Sequence, residues 1–569
     1  MYLQKIPEKK SGRTLLTVVR SVWKNGKPSK QMVKRIGYVD EFTHLYDDPI
    51  QHFQDVVKEM TRQEKEAKAK ITLTFTAGEA LVPDDGQRKN IGYMVLSQLY
   101  EQLEIPRFMA NRQRNLKIEF SLNAVLKLLV FSRTLFPTSK KQTYEFKDRY
   151  FEAFDFSHDD VYRSLSLLNR YADALKVFLH QQVCEKYGRR TDLVFYDVTN
   201  YYFEIEEQDD LRRKGVSKEH RPNPIVQMGL LMDAQGLPVT YELFSGNTND
   251  CETLMPILHQ VRETYDLERL IVVADRGLNT SNNIGMALAA GDGYIYGQSV
   301  LKASADLKAF CLDERGYRPY GSEDAGFKIK SRVTPKTIRV ENVDGRLVDV
   351  SVDEKQVVFY SRKYAERARA MRQEAIDKAL KLMNTSGQAA LKASYGARKY
   401  VKGVEMDPET GELLETGTRY YLDEDKIREE ALYDGYYAVV TSELDMPDPD
   451  VMNHYRGLWK IEESFRITKS ELKARPIYVQ RADHINAHFL TCFIALLLTR
   501  LVHVRTKNAF PVGQLLDAMR RANGTLLKDG YYVFDFYNDA LKTLGEAFNI
   551  PFHQKFLNQT VIRTLKKPR

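Results

Sequence analysis

The sequence predicts an α/β protein whose mixed core is split by a β-rich insertion and preceded by a basic module and a helical region. Three observations carry that prediction. Between about residues 190 and 300, short apolar runs and amphipathic stretches follow one another in the order β-β-β-α-β-α-β. From about 300 to 430, alternating strands such as Thr337 to Glu341 and Val348 to Val352 break that rhythm, which resumes at Tyr436 to Thr441. The first 35 residues hold ten Lys and Arg against one acid, Glu8, a net +9 beside +8 for the whole chain, so the basic excess is a local patch.

At 569 residues, with 43% hydrophobic and 28% charged residues, 31 Gly and 19 Pro, the chain is ordinary for a globular protein of several domains. Collagenous, disordered and low-complexity classes are excluded. The longest apolar run, Phe489 to Thr499, is too short to span a bilayer and is followed by Arg500. Residues 1 to 6 lack the apolar segment of a signal peptide, so a soluble chain with no membrane partner is expected. Cys184, Cys251, Cys311 and Cys492 lie far apart with no CxxC spacing, which predicts a reduced compartment and neither disulfide nor structural zinc.

The elements follow from periodicity and punctuation. Thr14 to Trp23 and Gln31 to Tyr38 read as a hairpin turning at Asn25-Gly26-Lys27-Pro28, and a charge-dense helix follows around 50 to 70. Helical spacing covers Ile91 to Leu103, Ser121 to Leu135 and Asp160 to Tyr187. Strands are expected at Leu193 to Tyr196, Ile225 to Met232, Pro238 to Leu243, Leu270 to Ala274 and Tyr294 to Gln298, with helices from about Glu252 to Tyr265 and after Thr280. A charged helix, Tyr364 to Met383, lies in the insertion. Beyond it come a helix from about Asp448 to Leu472 and an apolar helix, Ala487 to Val502. The expected divisions are 1–75, 76–189, 190–300, 301–430, 431–505 and a C-terminal helical region, 506–569.

Asp197 and Asp275 each follow an apolar run, so each acid sits where a buried strand leaves the core, the place where α/β sheets hold ligands. Buried carboxylates are costly without a partner, and a pair at neighbouring strand ends is best explained by a bound cation or by backbone and Arg partners. On the helix Asn453 to Lys469, Tyr455, Glu462 and Lys469 are seven residues apart and form one stripe, flanked by Trp459 and Arg466. Leu458, Ile461 and Phe465 supply the adjoining apolar face. Glu463 is the rival carboxylate, its side chain about 100° away in an ideal helix. His484 and His488 form an i, i+4 pair without the Glu of HExxH and read as structural. The basic stretch Arg212, Arg213, Lys214, Lys218 and Arg221 is either a solvated loop or a DNA-phosphate contact.

The helix resembles the Y-x2-R-x3-E-x6-K signature of IS4-type DDE transposases: Tyr455, Glu462 and Lys469 occupy three of its four positions, and Leu458 stands where Arg is expected, with Arg456 or Lys460 as substitutes. Tyr196-Asp197-Val198-Thr199-Asn200, Ala274-Asp275-Arg276-Gly277-Leu278, Leu458 to Glu462, Phe465-Arg466 and Arg475-Pro476-Ile477-Tyr478 are similar to the IS1634 branch of that family. The resemblance implies an RNase H-like (retroviral integrase-like) catalytic core, with Asp197 on its first strand, Asp275 on its fourth and Glu462 on the helix after a β-rich insertion. It implies a DNA transposase of an insertion sequence that binds terminal inverted repeats and carries out metal-dependent cleavage and strand transfer into target DNA. Asp197, Asp275 and Glu462 would be the catalytic metal ligands, and two Mg²⁺, or Mn²⁺ in their place, would lie roughly 3.5 to 4 Å apart. Tyr455, Lys469, Arg466, Arg456 and Arg276 would contact DNA, while the basic module and the helical region 76–189 would bind the element's ends. A synaptic homodimer and a bacterial or archaeal cytoplasm, at the nucleoid, are further implied. Some relatives cut the second strand through a DNA hairpin and stack a flipped base on Trp. Here Trp459 lies within the catalytic helix, so Tyr437 would take that part, and the route stays open.

Three other functions compete. Phe195 to Thr199 is similar to the nucleophile strand of haloacid dehalogenase phosphatases, but Thr199 stands where that chemistry needs a second Asp. A domesticated, inactive DNA-binding protein would not need three intact acids. An RNase H-fold nuclease would share the metal site and lack strand transfer.

Overall fold

The computed structural model describes residues 1–8, 12–24, 27–68, 72, 74, 88–216, 218, 222–265, 269–321, 326–341, 346–385, 399–405 and 418–567. The chain forms two compact units, Met1–Asp85 and Gly86–Arg569. Lys9, Lys10, the turn residues Asn25 and Gly26, Arg221, and the start of the expected helical region at 76–87 lie outside the described residues.

The first unit is an antiparallel sheet, β1 (Tyr2–Pro7), β2 (Thr14–Lys24) and β3 (Lys27–Tyr38), followed by helix α1 (Pro49–Lys68). The apolar run of β2 makes it the middle strand, with Leu16 and Val18 buried. Alternation puts Arg20 on the same face as Leu16 and Val18. There Arg20 pairs with Glu64 of α1 at 2.8 Å, and Thr61 donates to the Met1 carbonyl at 3.1 Å. Strand β3 lies at the edge, and Lys27, Lys30, Lys34 and Arg35 are all exposed.

The second unit opens with the short strand β4 (Arg88–Asn90) and six helices, α2 (Met94–Gln102), α3 (Ile105–Gln113), α4 (Leu122–Leu135), α5 (Lys140–Glu145), α6 (His158–Arg170) and α7 (Ala172–Tyr187). Ser121 and Ser157 start α4 and α6 by accepting the amides three residues on, and Gly188, at φ 59°, ends α7 in the left-handed region. The single helical stretch expected from Asp160 to Tyr187 is two helices, because Tyr171 is at once the C-cap of α6 and the N-cap of α7.

Next come β5 (Leu193–Tyr202), β6 (Ile225–Asp233), β7 (Pro238–Ser245), α8 (Leu254–Tyr265), β8 (Ile271–Ala274), α9 (Ser281–Ala289), β9 (Gly293–Gln298) and α10 (Ala305–Leu312). The segment expected as an insertion supplies β10 (Arg318–Pro319), β11 (Phe327–Glu341), β12 (Leu347–Ser361), α11 (Arg362–Thr385), the pair β13 (Val401–Glu405) and β14 (Thr418–Leu422), and α12 (Glu424–Ala431). Strand β15 (Tyr436–Thr441) then completes a nine-stranded mixed sheet of order β10-β11-β12-β15-β9-β8-β5-β6-β7. Among the described strands, only the β5–β8 and β8–β9 pairs are parallel. All nine residues of β6 are buried, as a strand covered on both faces requires. The base of the β11–β12 hairpin pairs with β15, and its outer part lies on α9, where Gly285 leaves room for Val340.

One predicted boundary moves. Strand β5 was expected to end at Tyr196 but runs on to Tyr202, because β6 keeps pairing with it as far as Tyr202↔Ile225. On its other side the parallel register with β8 stops at Tyr196↔Ala274. Asp197 therefore lies within β5, at the level where β8 ends.

A second correction concerns the helix expected from Asp448 to Leu472. It is α13 (Asp448–Arg456), a tight turn at Gly457-Leu458, α14 (Trp459–Arg466) and a π-turn at Ile467–Glu471. A Cβ on Gly457 would lie 2.4 Å from the Phe195 ring, so only glycine lets the backbone rest against β5 there. The Lys460 amide bonds to the Gly457 carbonyl three residues back, and the Leu472 amide to the Ile467 carbonyl five back.

The chain continues through α15 (Ala482–Arg505), α16 (Val512–Arg521), β16 (Asn523–Leu526), β17 (Tyr531–Phe534), α17 (Asp539–Phe548), β18 (Phe556–Asn558) and α18 (Gln559–Thr564). Among the described residues, α15 alone is long and apolar enough to cross a membrane, yet 94% of its apolar window is buried inside this unit, packed on α4 and α6. It is a core helix. The closing strands form a four-stranded sheet, β18-β17-β16-β4, with the first strand of the unit.

Candidate active site

The short parallel pairing of β5 and β8 brings Asp197 and Asp275 to one level on neighbouring strands. Both carboxylates bend back onto the chain. Asp197 accepts from the Val198 amide at 2.8 Å, and Asp275 accepts from Arg276 at 2.7 Å as it caps the short 3₁₀ turn Arg276–Leu278. Burial pushes the Asp197 carboxyl up to about 6. Lys218 and the Val198 amide work against that rise, while the negative charges of Asp275 and Asp250 add to it.

The two halves of the broken helix deliver different groups. From α13, the Tyr455 hydroxyl lies 3.5 Å from Asp275, and burial together with the charges of Asp275 and Glu462 raises its phenol. A Cβ on Gly297 of β9 would lie 2.4 Å from that hydroxyl, so a glycine strand position makes room for the ring. In the π-turn, Lys469 donates to Thr199 at 2.7 Å, and burial, with Lys218 nearby, lowers its ammonium to about 8. Lys218 itself donates to the Val198 carbonyl and lies 3.8 Å from Asp250.

On α14, Glu462 and Glu463 have different surroundings. Glu462 is exposed beside Trp459 and Arg466 on the outer face. Glu463 accepts from the buried Arg500 guanidinium at 2.7 Å and lies 3.5 Å from Arg466. Among the other residues singled out from the sequence, Arg276 follows Asp275 and is exposed, and its charge acts on Tyr455 and Tyr437. Arg456 instead lies over the rings of Phe327 and Tyr320, 4.9 and 5.7 Å away. Lys460 donates to the Ala234 carbonyl at 2.6 Å in the β6–β7 turn. Tyr437 stacks on Phe359 with centroids 5.9 Å apart. His484 and His488 are buried: His488 contacts the Ala474 carbonyl at 3.0 Å and Lys140 at 3.3 Å, and His484 lies 3.4 Å from Ser166.

Carboxylate oxygens are the donors a hard divalent cation takes, and Asp197, half-buried and raised by burial and by the charges of Asp275 and Asp250, has the electrostatics that such an ion relieves. Among the described residues no three His, Cys, Asp or Glu side chains are already gathered at metal-binding distance. The donor chemistry of Asp197 and Asp275 fits a cation.

Two residues that act on the candidate site were not marked as such in the sequence. Asp250 lies in a polar turn, Asn249-Asp250-Cys251-Glu252, with no apolar flank to mark it. Arg500 did leave a signal, a charge closing an eleven-residue uncharged, largely apolar run on a buried helix.

The family profile described as "Transposase DDE domain" matches residues 204–498, just over half of the chain, and the chain belongs to that family. The matched stretch includes Asp275 and Glu462 and begins just after Asp197. Members are transposase nucleases that act on DNA and generally use divalent metals. No curated protein matches the chain.

Proposed function

We propose that the protein is the transposase of an insertion sequence, of the IS4 type and IS1634 branch. It binds the element's terminal inverted repeats, cuts at them and joins the ends to target DNA. The observation that carries this reading is the site just described: Asp197 and Asp275 level on neighbouring parallel strands, Tyr455 against Asp275, and Lys469 on Thr199, two residues beyond Asp197. The order β7-β6-β5-β8-β9, third, second, first, fourth and fifth when counted from β5, supports an RNase H-like core.

Asp197, Asp275 and Glu462 would hold two Mg²⁺, with Mn²⁺ as a substitute. When bound, the ions would activate the attacking hydroxyl and stabilise the leaving oxygen. The chain's own groups do the rest. Glu463 is held by Arg500, which leaves Glu462 as the carboxylate of α14 turned outward. Lys469 and Tyr455 flank the acids with an ammonium and a hydroxyl suited to phosphate oxygens, and Arg276 and Arg466 extend cationic surface beside them. Arg456, over Phe327, is a peripheral contact. We infer a homodimer in the synaptic complex and a bacterial or archaeal cytoplasmic setting.

The test is an assay with Mg²⁺ on duplexes carrying the element's ends and a target plasmid. Joined product is expected. Cutting without joining would leave a nuclease, and end binding without cutting would leave an inactive DNA-binding protein.

The first unit would add phosphate contacts. Lys27, Lys30, Lys34 and Arg35 on β3 make no ion pair among the described residues. Each phosphate contact contributes about 0.9 to the slope of log K against log salt. The Lys30→Glu, Lys34→Glu double variant is therefore expected to lower that slope by about 2. An unchanged slope would remove β3 from the DNA interface.

A further inference from the structure

We propose that Arg500 is a positioning residue for the reaction, one that sets the rotation of α14 about its axis and so aims Glu462. The proposal rests on the reading of Glu462 given above. Arg500 is 5% exposed and rises from the core helix α15 beneath α14. Its Nε donates to Ser464 Oγ at 3.0 Å, Nη2 to Ser464 Oγ and to the Lys460 carbonyl at 2.7 Å each, and Nη1 to Glu463 at 2.7 Å. Ser464 in turn donates to the Lys460 carbonyl at 2.8 Å. One planar guanidinium thus grips positions i, i+3 and i+4 on the inner side of the helix.

The grip matters because the other polar hold on α14 described above, Lys460 to the Ala234 carbonyl, runs through one flexible side chain. The helix is eight residues long, joined to α13 through the Gly457 turn and closed by a π-turn, so neither end extends a regular helix. Ile461 and Phe465 bury its inner face, but apolar contacts tolerate small rotations that a forked set of hydrogen bonds does not. A carboxylate reaches roughly 6 Å from a helix axis, so a rotation of roughly 20° would carry Glu462 about 2 Å. A misplacement of about 1 Å can cost about 10²-fold in rate.

The chain has two tryptophans, Trp23 and Trp459, and Trp459 stands on α14. In a Trp23→Phe protein labelled with 5-fluorotryptophan, the single ¹⁹F signal reports that helix directly. The decisive variant is Arg500→Met with Glu463→Met, since replacing a buried ion pair by apolar residues of similar size leaves stability near wild type. A broadened or split ¹⁹F line is expected, with cleavage lowered about 10²-fold and end-DNA affinity unchanged. Glu463→Gln, which still accepts from Arg500, is expected to keep both the single line and the rate. A single unshifted line in the double variant, or wild-type cleavage by it, overturns the proposal. Wild-type protein that never cuts would instead overturn the reading of the site, and the ¹⁹F comparison would still decide the clamp.

Discussion

Asp197→Asn is expected to abolish strand cleavage and at the same time make the metal-free protein harder to melt. The loss should be about 10⁴-fold or more, the scale seen when one member of a catalytic unit is removed, and Asp275→Asn and Glu462→Gln should match it while end binding survives. The gain in stability has a separate origin. Burial lifts the Asp197 carboxyl from the ordinary 3.8 to about 6, so the folded state holds that proton more tightly than the unfolded chain does. Stability therefore falls as pH rises from about 4 to about 6 and stays lower above that window, by roughly 2–3 kcal/mol. A neutral Asn escapes the penalty, and a rise in Tm of roughly 2–5 °C at pH 7 in EDTA is expected. Mg²⁺ should raise the Tm of the wild type and leave the variant unchanged, because a ligand stabilises only the state that binds it. An Asp197→Asn protein that still cuts, or that melts lower, would remove Asp197 from the site.

The second large effect lies below the site. Arg189 and Asp233 form a buried pair, Nε to Oδ2 at 2.9 Å, their side chains 1% and 0% exposed. Arg189 also donates to the Pro238 carbonyl at 2.7 Å, while Asp233 accepts the Gln235 and Leu237 amides at 2.9 Å each. The pair ties the approach to β5 to the β6–β7 turn on which Lys460 of α14 rests. Arg189→Met leaves a buried carboxylate without its cation and is expected to cost about 3–5 kcal/mol in urea unfolding. Adding Asp233→Asn keeps the turn's amide acceptor and removes the charge, so it should recover most of the loss. If the single variant unfolds at the wild-type urea midpoint, the pair contributes nothing to the sheet.

That Asp197 and Asp275 follow buried strand runs was legible because apolar runs mark such strands, whereas the expected seven-residue stripe is divided, with Tyr455 on α13, Glu462 on α14 and Lys469 in the π-turn. What was not legible depended on contacts distant in sequence. Thr199, Asn200 and Tyr202 lie beyond the run expected as a strand, yet β6 holds them in strand and Lys469 donates to Thr199. The division of the site helix depended on Phe195 lying under Gly457, a contact across more than 250 residues of chain, and an isolated helical glycine does not announce it. Nothing local marks the π-turn. The strands between 300 and 430 were recognisable as strands, but their union with β15 in the central sheet is a matter of pairing, which periodicity does not carry.

The sheet that closes the second unit sets a timetable for synthesis. Asn90 reaches the Met519, Arg520 and Ala522 carbonyls and the Asn523 side chain, and β4 pairs with β16 across Asn90↔Asn523. Those residues are 433 positions apart. At about 5–20 residues per second, Asn523 leaves the ribosome about 20–90 s after Asn90. Throughout that interval the nascent chain carries an open strand edge and helices without their final cover. A message broken before the codon for Asn523 yields a polypeptide that keeps the three candidate acids and never closes this sheet.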